Sequence, residues 1–210
     1  MKPPVSPHAT SADLLVLHTL RCIGFTSLAR VAAAVGLPAD EVQSELIDLA
    51  VAGLVTHTAG DFGGWGLTEA GRAQDAEQIT AELEAAGTRA VVNTAYEGFL
   101  VLNPELLDLC TAWQLRTVDG VMIMNDHTDS DHDRRVLRRL TDLDQRAETV
   151  CADLSATMLR FRRYRARFTG ALDRARSGEL DYVADNLDSY HTVWFQLHED
   201  LLTTLGIPRH

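Results

Sequence analysis

A mainly α fold in two successive parts is what this 210-residue sequence predicts, and three observations predict it. Apolar residues recur at helical spacing through most of the chain. The one interruption, residues 54 to 67, reads as two short strands around the glycine-rich tip TAGDFGG. Beyond it, residues 88 to 210 read as helices joined by loops. A hydrophobic content of 46% is enough for one good core with an appended element, or for two small domains.

Taken in order, residues 1 to 10 hold three prolines and are expected to form a loose arm. Ser11 is placed to cap a helix over 11 to 23, and Thr26 to cap SLARVAAAV, which Gly36 closes before Pro38 restarts the chain. A third helix runs from 38 to 52. The strands LVTH (54 to 57) and WGL (65 to 67) follow, and Thr68 caps the helix in TEAGRAQDAEQITAELEAA. Three helices, two strands with a tip and an exit helix make residues 11 to 87 a winged helix-turn-helix domain.

The residues Gly53-Leu54-Val55 and Leu67-Thr68-Glu69-Ala70-Gly71-Arg72, on either side of the hairpin, carry a resemblance to the winged-helix domains of MarR-like and PadR-like bacterial regulators. It covers residues 12 to 86 and implies a DNA-binding transcriptional regulator.

Residues 88 to 210 are expected to form an all-helical domain, a bundle or a coiled-coil-like assembly. Ala76, Ile79, Leu83 and Ala86 form one apolar stripe on the exit helix, and Val92, Ala95, Tyr96 and Phe99 share a face of the next. Asn103 and Pro104 suit the N-cap and first position of a further helix ending near residue 116, and 117 to 130 read as a loop. From Val136 the apolar positions step 140, 143, 147, 150, 154, 158 and 161, a heptad rhythm that suits either one helix of about 40 residues or a hairpin bent near Ser155. Such a seam wants a partner helix, so a homodimer is expected, although an intramolecular hairpin satisfies it equally. A last helix spans 178 to 205.

The stretches LNPELLDLCTAWQLR, MNDHTDSDHD and DSYHTVWFQLHEDLL in this half resemble a helical region of actinobacterial pyruvate phosphate dikinase-like, phosphoenolpyruvate-utilising proteins, over residues 90 to 205. The catalytic-histidine and nucleotide-grasp parts of those enzymes have no counterpart here. The resemblance therefore implies a regulatory or accessory role near phosphoenolpyruvate metabolism and no activity.

Charge complicates the DNA reading. The net charge is −11, with four basic and seven acidic residues over 1 to 72, two and ten over 73 to 130, and thirteen of each over 131 to 210. The third helix, which reads DNA in such domains, holds four carboxylates and no Lys or Arg; none occurs between Arg30 and Arg72. Phosphate contact needs cations. DNA binding would fall to Arg30, Gln43, Ser44 and Arg72. The competing reading is an interaction surface in which Asp40, Glu41, Ile47, Asp48 and Val51 dock a protein partner, polar at the rim and apolar within, or the chain's own basic helix. Asp61 on the hairpin tip stands where a basic residue would grip phosphate.

Three further constellations stand out. Arg160, Arg163 and Arg167 share a helical stripe with Arg174, and guanidinium groups there suit an anionic metabolite, a solvated face or the acids of neighbouring helices. The run from Asn125 to Asp133 reads as an acidic capping loop in which Ser130 or Asp131 caps the next helix. A metal-dependent site built from His127, His132, His191 and His198 is a weaker reading. No GxSxG, P-loop, GxGxxG or HExxH occurs, so no enzyme, catalytic residue, metal or cofactor is expected. Cys22, Cys110 and Cys151 lie apart among apolar neighbours and read as buried thiols. No apolar run approaches the roughly 20 residues of a membrane span, and the start MKPPVSPHATSAD lacks a secretory apolar stretch, so the cytoplasm is expected.

Overall fold

The computed structural model describes residues 6–60 and 62–208. Among these, eight α-helices and two antiparallel hairpins bear out a mainly helical chain. The order is α1 (Ala12–Ile23), α2 (Leu28–Val35), α3 (Ala39–Val51), β1 (Val55–Thr58), β2 (Gly64–Leu67), α4 (Glu69–Ala86), α5 (Arg89–Gln114), β3 (Leu115–Val118), β4 (Val121–Met124), α6 (Ser130–Thr157), α7 (Arg162–Arg176) and α8 (Tyr190–Leu205). No helix among the described residues is long and apolar enough to cross a membrane.

Helices α1 to α3 and the β1–β2 hairpin enclose one core, with Val16, Leu17, Leu20, Val31, Val42 and Leu46 at its centre. Ser27, not Thr26, caps α2, accepting from the Arg30 amide. Thr26 instead exchanges backbone hydrogen bonds with Trp65, at 3.0 and 2.7 Å, and so adds a short bridge to the hairpin. Ser11 precedes α1 without a side-chain cap bond. At the end of α3, Gly53 takes a φ of +75° and the Leu54 amide donates back to the Leu49 carbonyl at 2.9 Å. Thr68 then caps α4, its hydroxyl accepting from the Gly71 amide at 3.0 Å while its own amide donates to the Leu54 carbonyl. The first turn of α4 is thereby pressed onto the chain entering β1. A Cβ on Gly71 would stand 1.9 Å from the Leu54 carbonyl oxygen.

Helices α5 to α8 pack around a second, larger core that also receives Leu83 of α4. Three expectations are corrected here. No helix begins at Asn103: α5 runs unbroken through Pro104. The buried positions 92, 95, 99, 102, 106, 109 and 113 continue in threes and fours across the proline, and Pro104 itself faces solvent, so water can take the carbonyl that the missing N–H leaves open. The loop expected over 117 to 130 contains the β3–β4 hairpin, whose two-residue turn, Asp119-Gly120, has both φ angles positive, at 50° and 82°. The last helix starts at Tyr190, capped by Ser189; before it the chain holds a 3-10 turn at Leu180–Tyr182.

The heptad stretch is a hairpin. Extended Met158 separates α6 from a 3-10 turn, Leu159–Phe161, that leads into α7. His8 of the N-terminal arm satisfies the broken backbone: its amide donates to the Thr157 carbonyl at 2.7 Å, and its carbonyl accepts from the Leu159 amide at 2.8 Å. Val136, Leu140, Leu143, Ala147, Val150 and Leu154 are all buried within the chain. The seam that suggested a homodimer is filled by the protein's own helices.

The close approach at Gly71 gives a stability test. Gly71→Ala is expected to lower stability by about 2 to 3 kcal/mol in denaturant unfolding, because the backbone of Leu54 cannot yield without moving the hairpin. Gly170→Ala in α7, where nothing lies within 4 Å of the added methyl, is expected to raise it by about 0.5 to 1 kcal/mol.

Candidate functional site

The exposed face of α3 is acidic and apolar. Val42, Leu46 and Leu49 point into the first core. On the opposite side Asp40, Glu41, Gln43, Ser44 and Asp48 are exposed, with Ile47 at 48% and Val51 at 85% exposure among them. Glu45 is half-buried, and burial, followed by the negative field of Asp13, Asp48 and Glu41, pushes its carboxyl above its ordinary range. Phe62, at 97% exposure near the β1–β2 tip, adds a second apolar group to this part of the chain. Asp61 lies outside the described residues.

The four residues expected to touch DNA are not equivalent. The Arg30 guanidinium turns away to the helical half, donating to the Leu187 carbonyl at 2.9 Å and to Asp188 at 3.1 Å. The Ser44 hydroxyl donates to the Asp40 carbonyl on its own helix. Gln43 and Arg72 stay at the surface.

Three of the four stripe arginines, Arg160 in the turn before α7 and Arg163 and Arg167 on it, face inward, whereas Arg174 is exposed beside Glu179. Arg160, 4% exposed, donates to Asp200 at 2.5 Å, to Thr204 at 2.8 Å and to Glu82 at 3.4 Å. Arg163 donates to the Thr19 hydroxyl and, at 3.0 Å, to the other oxygen of Asp200. Arg167 reaches the Gln196 side-chain carbonyl at 2.6 Å and lies 3.8 Å from Asp188. The anions that these arginines meet are the protein's own.

Asp200 is the centre of that network and has no exposed surface. Its Oδ1 accepts from Arg160, from Thr204 at 3.1 Å and from His18 Nε2 at 3.0 Å; its Oδ2 accepts from Arg163 and from the Tyr164 hydroxyl at 2.8 Å. His18, also fully buried, faces Asp75 with its other nitrogen at 2.9 Å. A carboxylate opposite each ring nitrogen favours a hydrogen on both, and so the imidazolium form of His18. Burial opposes that charge, but Cys22, Asp200 and Asp75 outweigh it and hold the His18 pKa well above 6.5. Burial likewise opposes the Asp200 carboxylate, and Arg160, His18 and Arg163 hold it well below its ordinary 3.8. His18, Arg160 and Arg163 thus balance Asp75, Asp200 and Glu82 at the junction of α1, α4, α7 and α8.

Ligand atoms of His18, Cys22 and Asp200 lie within 4.8 Å of one another, a spacing compatible with a metal ion. Both Asp200 oxygens, however, are already occupied by five donors, two of them guanidiniums, which favours the ion network over a cation there. The four histidines considered from the sequence do not converge in such a group among the described residues. His127 sits against Trp113 and pairs with Asp133 at 3.0 Å; His132 meets the Ala112 carbonyl at 2.7 Å; His198 stacks on Tyr96 and tilts against Phe99. Asp129 caps α6, and Asn125 ties Asp133 to the Trp113 carbonyl, so the acidic run closes the β3–β4 hairpin onto α5 and α6. All three cysteines are free and buried.

No protein-family model, curated protein or solved structure matches the chain.

The junction makes two measurable demands. Asp200→Asn leaves three buried cations without their shared anion and is expected to cost about 3 to 5 kcal/mol in denaturant unfolding. His18 binds its proton more tightly folded than unfolded, so its contribution is complete below about pH 6.5 and is lost as pH rises toward the folded value. Stability should therefore fall above pH 6.5 by up to about 1.4 kcal/mol per pH unit, and His18→Gln should flatten that slope.

Proposed function

We propose that the chain is a non-enzymatic interaction module in which residues 11 to 87 form a winged helix-turn-helix and α3 binds a protein rather than DNA. Three helices, a hairpin and an exit helix in that order support the domain reading. One observation carries the functional reading: the outward face of α3 presents Asp40, Glu41, Asp48, Ile47 and Val51 and no cation. DNA would meet repulsion there, because affinity for duplex depends on several cation-to-phosphate contacts. With Arg30 held by Asp188, only Gln43 and Arg72 remain of the polar groups suited to bases and phosphates. An apolar centre flanked by carboxylates suits a protein surface with apolar and basic side chains.

The helical half then acts as the platform that holds this domain, through the Asp200 junction and the Arg30–Asp188 pair. Its resemblance to the helical region of phosphoenolpyruvate-utilising proteins makes such an enzyme the first partner to assay. The accessory role belongs to that pairing, in the cytoplasm.

A bait comparison tests the reading. Ile47→Arg, on an exposed position, should leave the thermal midpoint unchanged and lower affinity for the candidate enzyme by at least about tenfold, the loss of one central apolar contact. A fragment of the upstream DNA should not shift at low salt. A shift that weakens steeply with salt, disappears in Arg72→Ala and survives Ile47→Arg would replace the proposal with the transcriptional-regulator reading.

A further inference from the structure

The outer face of α6 carries a groove of about 700 Å³ whose rim is formed by Arg134, Arg135, Arg138, Arg139 and Arg176, with Leu137 among its apolar walls. Asp142 is the one carboxylate in its lining. Arg134 pairs with Asp131, and Arg176 with Thr141 and Asp173. Arg135, Arg138 and Arg139 are exposed and form no ion pair among the described residues. Arg134 and Arg138, like Arg135 and Arg139, are four apart on the helix, where like charges repel and weaken it. In a chain of net charge −11, so dense a positive strip is the exception, and it stands opposite in sign to α3.

The two surfaces match in more than sign. The exposed guanidiniums of Arg135, beside Asp129, and of Arg138 and Arg139 on one side answer the exposed carboxylates of Asp40, Glu41 and Asp48 on the other. Leu137 and the aliphatic stems of the arginines offer apolar surface to Ile47 and Val51. The acidic α3 is therefore suited to the groove on another molecule.

We propose that this chain associates with a second copy of itself by docking α3 of one molecule into the arginine groove of the other. The inference rests on the reading of α3 as a protein-binding face and names its occupant. Mutual exchange of the two contacts gives a closed pair, and one-way exchange gives a growing chain. Like-signed faces of two copies repel, so α3 against the α6 groove is the favoured pairing.

Charge exchange tests it. In sedimentation equilibrium the wild-type mass should rise above that of the monomer with concentration, and the association should weaken at least about tenfold between roughly 50 mM and 0.5 M salt, as screening shortens the reach of exposed charge. Two triple variants are made on exposed positions: Asp40→Arg, Glu41→Arg, Asp48→Arg and, separately, Arg135→Glu, Arg138→Glu, Arg139→Glu. Each should remain folded and monomeric alone, whereas their equimolar mixture should regain association, because every like-signed contact becomes an unlike one. A wild-type chain that stays monomeric at low salt, or variants that associate separately as well as together, would overturn the inference. So would short duplex DNA that binds wild type and is lost in the α6 variant while no self-association is seen. If the chain is monomeric yet Ile47→Arg still abolishes capture of an enzyme, self-docking fails and the α3 reading stands. If reversing the α3 charges changes neither association nor capture, the α3 reading fails with it.

Discussion

A carboxylate removed from water keeps its charge only where cations and hydrogen-bond donors replace the solvent it has lost. Asp200 meets that condition through His18 of α1, Arg160 at the entry to α7, Arg163 and Tyr164 of α7, and Thr204 of its own helix. Glu82 of α4 and Asp75, also on α4, complete the balance. Every partner comes from a particular helix at a particular turn, so the network is satisfied in one relative placement of the two halves. Replacing such a network by apolar groups can be neutral for stability; what the ions add here is a penalty on misplacement. The helical platform and the domain carrying α3 are consequently one unit.

The same arrangement determines which charges are left to act outward. Helix α7 packs its aromatic face into the bundle core, while Arg163 and Arg167 reach Thr19 of α1 and Gln196 and Asp200 of α8. Arg160 and Arg163 are neutralised from within by Asp200 and Glu82, and Arg167 is held by the Gln196 side chain with Asp188 at 3.8 Å. Arg30 is removed in the same way by Asp188. Among the charges that remain exposed, two groups stand out: carboxylates with Ile47 and Val51 on α3, and the guanidiniums of Arg134, Arg135, Arg138 and Arg139 on α6. The proposed interactions draw on these exposed charges, which the interior leaves unused.

Much of the architecture was legible from periodicity. The third helix, the Thr68 cap and the heptad seam of α6 follow from the spacing of apolar and capping residues. Pro104 misled because a proline reads as a helix start, while the apolar stripe runs on through it and its exposed position makes the lost bond tolerable. The Asp119-Gly120 pair between Val118 and Val121-Met122-Ile123-Met124 was a hairpin signal that the reading of this stretch as a loop passed over. His18 gave no signal at all: one histidine on an apolar helix looks like any core residue, and its carboxylates lie 57 and 182 positions away in the chain. The arginine stripe was visible, yet its partners were not.

The sequence by itself determined the local elements and the sign of each face, because helix periodicity, capping and formal charge are properties of neighbouring residues. Tertiary structure alone decided which charges are buried together, that the heptad seam closes on its own chain, and that Arg30 and the α7 arginines face acids of this molecule. Those outcomes depend on distances between segments far apart in sequence, where electrostatic energy is set by geometry and burial rather than by composition.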